Sequence, residues 1–248
     1  MTRFWDRFVL RSPQEDDEFL TFAEESASPI DRVAWGVASR AEPRWPATLA
    51  VLVAIFLQLV LPSKVSHYLG PHWLIPSLEG VLAVALLLAN PWHANESRNL
   101  RPLAVGLITF INAANLVALG ELVSALLEGS HAAGRSLIYA SVPIWLTNVI
   151  VFGLWYWELD RGGPRARLKA DHPAPDFLFP QQGAPGAAPG WTPTFLDYLY
   201  TSFTNATAFS PTDTMPLSRW AKMGMTVQAT VSIVTVALVV ARAVNILR

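Results

Sequence analysis

Apolar residues gather along this chain into five stretches, Ala47 to Leu61, Trp73 to Leu88, Leu103 to Leu127, Leu137 to Trp157 and Met223 to Ile246. Read as helices, these are five membrane spans. The first lies between Pro46 and Pro62 and is short, so it is expected to stand nearly upright or to extend into its flanks. A sixth apolar segment, TPTFLDYLYTSFT, has a different character. Thr192-Pro193 supplies an N-cap and a first-turn proline, yet the helix that follows is too short to cross a bilayer. Behind it comes the polar run Phe203 to Pro216, FTNATAFSPTDTMP, and such irregular backbone is tolerated at membrane depth only where protein or a water-filled cavity surrounds it. The pattern predicts an all-α membrane protein of five transmembrane helices plus one re-entrant pore helix. Its expected divisions are an N-terminal cytoplasmic or interfacial segment (1-46), a three-helix membrane domain (47-136) and a two-helix pore module (137-248). That module contains an outer helix, a Pro/Gly-rich loop, the re-entrant helix and an inner helix.

A balance of 52% hydrophobic against 15% charged residues, with mean hydropathy +0.33, agrees with an integral membrane protein. The absence of cysteine excludes a disulfide framework, a thiolate metal site and a thiol nucleophile. A net charge of -1 gives no reason to expect a nucleic acid partner. No Ser/His/Asp set, metal-ligand spacing or phosphate loop is recognisable, so neither an enzyme nor a cofactor is expected. The first strongly apolar run begins near Ala47 without a cleavage site, and the first 46 residues are expected on the mature protein. Within them, Phe4, Trp5, Phe8 and Val9 lie among Arg3, Arg7 and Arg11, the spacing of an amphipathic helix that rests either in the headgroups or on the bundle. Glu15 to Glu25 is expected to be a solvated face. Asp160 to Gly190, rich in Pro, Gly and Ala, reads as a loop without a core of its own, with Asp176 to Pro180 as its one apolar piece.

Phe203, Thr204, Thr207, Asp213 and Pro216 fall without a gap on the pattern F-T-T-x-T-T-V-G-Y-G-D-x-x-P, and here the chain resembles the pore module of the tetrameric P-loop cation channels. The filter departs from that pattern. Where the family has T-V-G-Y-G, this chain has Ala208, Phe209, Ser210, Pro211 and Thr212, so both glycines are missing. A potassium filter needs positive φ to aim successive carbonyls inward, which neither a serine nor a proline-restrained threonine adopts readily. High potassium selectivity is not expected. The stretch DYLYTSFT is also similar to a segment of an uncharacterised family of small bacterial multi-pass membrane proteins, which implies a bacterial inner (plasma) membrane. What the pore resemblance implies is a homotetrameric channel or channel-like pore passing cations with weak selectivity, with the lipid bilayer and permeant cations as its partners. Placing the N-terminus in the cytoplasm puts fourteen of the 18 Lys and Arg residues inside, among them Arg161, Arg165, Arg167 and Lys169. The re-entrant segment then faces the cytoplasm, as the inverted pore loop of the ionotropic glutamate receptors does.

Four Asp213 carboxylates around an axis would form a ring that concentrates cations; alternatively, each Asp213 holds its own turn. Thr207, Ser210 and Thr212 offer oxygens either to a dehydrating ion or to the end of the re-entrant helix. Phe209 and Pro211 are a candidate constriction. On the last span Gln228, Ser232 and Thr235 form one polar stripe, read either as pore lining or as interhelical hydrogen bonding. Asn115 and Asn148 lie at similar depth on antiparallel spans and are expected to bond to each other. Glu79 and Glu121 are intramembrane acids, costly unless paired or protonated, and they leave open a proton-coupled transporter. The missing glycines leave open a non-conducting scaffold or sensor that keeps the pore fold.

Overall fold

The computed structural model describes residues 42–61, 73–89, 101–127, 134–168, 174–183, 191–207 and 213–246. The N-terminal amphipathic and acidic segments, the filter-equivalent residues Ala208, Phe209, Ser210, Pro211 and Thr212, and the loop histidines lie outside these residues. The long elements are α1 (Trp45–Val60), α2 (Leu74–Ala89), α3 (Arg101–Leu127), α4 (Gly134–Leu159), α5 (Phe195–Thr207) and α6 (Arg219–Ile246). Two-residue strands β1 (Phe177–Leu178) and β2 (Met215–Pro216) pair antiparallel, Phe177 opposite Pro216 and Leu178 opposite Met215.

Three helices, α3, α4 and α6, are long and apolar enough to cross a membrane, and the chain is membrane-embedded. At 16 residues each, α1 and α2 are shorter. The distribution of polarity is the reverse of a water-soluble bundle. Outward-facing positions of α1 are Trp45, Leu49, Leu52, Val53 and Phe56, while Gln58, Glu79, Asn115, Asn148, Gln228 and Ser232 are buried. Hydrocarbon solvates apolar side chains and cannot hydrogen-bond polar ones, so the helices turn their polar groups toward one another.

α4 is the central helix. It packs against α1, α3, α5 and α6, and 72% of its spanning segment is buried, against 33% for α3 and 22% for α6. Gly153 lets α5 approach it closely: a Cβ there would come 3.1 Å from Leu199 Cα and 3.2 Å from Leu199 Cδ1. Gly153→Val is therefore expected to push α5 off α4 and lower stability by about 1–3 kcal/mol through overpacking. The measurement is the unfolding midpoint in detergent; an unchanged midpoint would mean that α5 is not seated this closely.

The expected bond between Asn115 and Asn148 does not form. Asn115 Nδ2 donates to the Ile144 carbonyl at 3.2 Å, joining α3 to α4. Asn148 instead faces α6, donating to Ser232 Oγ at 2.9 Å and to the Gln228 carbonyl at 3.3 Å. Depth along the helices is readable from sequence, but α4 stands between α3 and α6, and helical rotation turns its asparagine toward the latter.

Candidate functional site

α5 begins beside the C-terminal end of α4 and runs back along it. Phe195 packs edge-on against Trp157, with ring centroids 5.9 Å apart, and the Tyr198 hydroxyl donates to Asp160 Oδ2. Further along, Ser202 Oγ donates to the Val149 carbonyl at 2.6 Å, and the Phe203 ring lies 5.9 Å from Trp145. From Asp160 to Val149 is about 16 Å along the chain at a helical rise, roughly half the thickness of a bilayer core. The chain then comes back to where α5 entered. Thr201 Oγ1 donates to Thr214 Oγ1 at 3.1 Å, and β2 pairs with β1. Phe177 of β1 packs in turn on Tyr156, Tyr198 and Trp220. Entry and return thus share one end of α4.

The cap of α5 sits two residues later than Thr192-Pro193 suggested. Asp197 Oδ2 accepts from the Thr194 N–H at 2.7 Å and from the Thr194 hydroxyl at 2.8 Å, while the Phe195 N–H donates to Glu42 Oε1. Asp197 thus reaches back to both donors of Thr194 while its own N–H bonds the Thr194 carbonyl at 3.0 Å, and its carboxylate sets negative charge against the positive end of the helix. Glu42 Oε2 also accepts from Trp157 Nε1 at 3.0 Å, which ties the start of α5 to the end of α4.

A buried charge network closes this end. The start of the stretch read as a loop without a core of its own instead buries Arg161 and Arg167 at 3% and 1% exposure. Asp160 Oδ1 accepts from the Asp176 N–H at 2.8 Å, and Asp176 Oδ2 accepts from the Arg161 N–H at 3.0 Å, a reciprocal clamp. Arg161 Nε lies 3.4 Å from Asp160 Oδ2, and Asp176 Oδ1 takes the Trp220 indole N–H at 2.7 Å. Arg167 Nη1 donates to the carbonyls of Trp157 and Asp160 at 2.7 and 3.0 Å, and its guanidinium lies 5.2 Å from the Tyr198 ring centroid. Burial pushes the Tyr198 hydroxyl well above its usual range although Arg167 opposes this, so the phenol keeps its proton and donates it to Asp160. Arg161, Gly162 and Gly163 all have positive φ, at 53°, 78° and 96°, which reverses the chain straight after α4. The apolar piece Asp176 to Pro180 joins the main core through Phe177 and Phe179. The sequence signal for this network was an aspartate at each end of the basic stretch, Asp160 before it and Asp176 after it.

A second network fills the middle of the bundle. Gln228, 0% exposed on α6, accepts at Oε1 from the Tyr156 hydroxyl at 2.7 Å and from Asn205 Nδ2 at 2.8 Å. Its Nε2 donates to the Ser202 carbonyl at 2.9 Å and to Ser202 Oγ at 2.6 Å. Ser232 accepts from Asn148, and Thr235 Oγ1 donates to the Val231 carbonyl of its own helix at 2.8 Å. Of the two readings of the stripe, these bonds match interhelical hydrogen bonding: Gln228, Ser232 and Thr235 are buried inside the protomer, and the first two join helices. A stripe at helical spacing shows that one face is polar, not what that face meets.

The other singled-out residues are spread over the fold. Thr207, the last residue of α5, donates to the Thr204 carbonyl at 2.8 Å, and Asp213 is exposed where the chain returns. Glu79 is fully buried on α2, whereas Glu121 is half-buried on α3. Among the described residues, no three His, Asp or Glu side chains are grouped as metal ligands. No protein-family model, curated protein or solved structure matches the chain.

Proposed function

We propose that this chain is the protomer of a homotetrameric, channel-like protein of a bacterial inner membrane that passes cations with weak selectivity. The observation that supports this reading is the course of α5, a 13-residue helix that runs half the depth of α4 and whose chain returns to the same end. In this reading α1, α2, α3, α4 and α6 cross the bilayer and α5 is re-entrant. Two hydrogen-bonded networks hold the short helix rigidly between α4 and α6, as a pore entrance requires. Thr207 and Asp213 flank the mouth in this reading; its other assigned residues, Ser210 and Thr212 toward the ion and Phe209 with Pro211 as the constriction, lie outside the described residues. Because Gln228, Ser232 and Thr235 serve the protomer's interior, the deeper path falls to the outward face of α6, where Thr226 and Thr230 are exposed one turn apart.

Purified protein in planar bilayers should carry cation-favouring currents, and Asp213→Asn should reduce them by about tenfold by removing the ring that concentrates cations. Equal currents in both proteins would remove Asp213 from the pathway. A second reading, a non-conducting scaffold that uses the pore fold for assembly, is favoured by one observation. Beyond Arg219 and Lys222 in its first turn and the two threonines, the outward face of α6 is lined by apolar side chains, with Met223, Val227, Ile233, Val234, Val236 and Val240 exposed. Intact oligomers that carry no current would select it.

A further inference from the structure

We propose that Glu79 is a reversible proton-binding site within the membrane, in the α1–α3 half of the protein and separate from the pore module. α2 packs against both α1 and α3, and Glu79 is fully buried in it. Neither of its carboxyl oxygens has a hydrogen-bond partner among the described residues. The amide of Gln58 on α1, itself buried, faces the carboxyl, and its Nε2 likewise completes no hydrogen bond.

Charge on the packed helices does not compensate Glu79. α1 carries no ionisable residue, and α2 carries only Glu79. On α3, Arg101 is held by Glu158 of α4 at 3.1 Å, and Glu121 is itself an acid. The connection bearing Lys64, His67 and His72 lies outside the described residues. A carboxylate at this position bears the full loss of hydration, whereas the acid is neutral and has an O–H to donate. Gln58 suits both states, because its N–H₂ can donate to the carboxylate and its carbonyl oxygen can accept from the acid. Binding takes one proton from hydronium, turns the carboxylate into a carboxylic acid and leaves water.

The test is pH-difference infrared spectroscopy on the full chain in lipid bilayers, which reads protonation directly and does not depend on conduction. Lowering the pH from about 9 to about 5 should raise a protonated-carboxyl carbonyl band that is missing from Glu79→Gln and retained in Glu121→Gln. Gln58→Leu should move the frequency of that band, because the acid loses its hydrogen-bond acceptor. A band of constant size across the range would show a permanently neutral Glu79 and overturn the proposal. So would the absence of the band from the unsubstituted protein, or its persistence in Glu79→Gln.

Discussion

Asp160→Ala is expected to destabilise the protein by about 3–5 kcal/mol, the effect of taking one member out of a buried charge network. The loss is large because one side chain serves three groups. Without it the Tyr198 hydroxyl and the Asp176 N–H lose their acceptor inside the protein, and the Arg161 guanidinium loses its ion-pair partner. Arg161, at 3% exposure, would then be a buried cation with its nearest carboxylate gone. Tyr198→Phe removes only one hydrogen bond and should cost about 1 kcal/mol. The double substitution should fall short of the sum, since both changes delete the same bond. Unfolding in detergent micelles measures all three proteins. Hydrogen exchange should also show faster opening of the first turn of α5, which this network anchors. A change of less than about 0.5 kcal/mol for Asp160→Ala would place it among ordinary surface substitutions and refute the structural role.

Gln228→Leu is the second large effect. Gln228 makes four side-chain hydrogen bonds, to Tyr156, to Asn205 and, twice, to Ser202. At about 0.6 kcal/mol for each interhelical bond in lipid, the substitution should cost about 2–3 kcal/mol, mostly by loosening α6 from α5 and, through Tyr156, from α4. Ser232→Ala, which loses only the bond from Asn148, should cost about 0.6 kcal/mol. This series also separates a structural residue from a pore-lining one. A lining residue changes conduction with stability intact, whereas Gln228→Leu is expected to change stability first. Full stability in Gln228→Leu would return that side chain to the candidate pathway.

The burial of Gln228 bears on how a pore could form. Four bonds saturate its amide within one protomer, so assembly would bring together faces that are already closed to one another. What remains outward on α5 is Leu196, Tyr200 and Phe203, a surface suited to lipid or to a neighbouring subunit rather than to water.

The sequence alone was enough to locate the long apolar helices and to mark TPTFLDYLYTSFT as a short one. Apolar length between polar interruptions is a local property, and hydrocarbon enforces it on each segment separately. The partners of the polar residues were decided only by the tertiary structure. Arg161 and Arg167 fell in what read as a loop without a core because Asp176, which clamps Arg161 together with Asp160, lies beyond a Pro- and Gly-rich stretch and reaches them only when the chain reverses after α4. Gln228 and Ser232 presented a polar face whose periodicity was plain. Whether that face met water, lipid or other helices depended on α4 and α5 packing against it, and no local pattern encodes that packing.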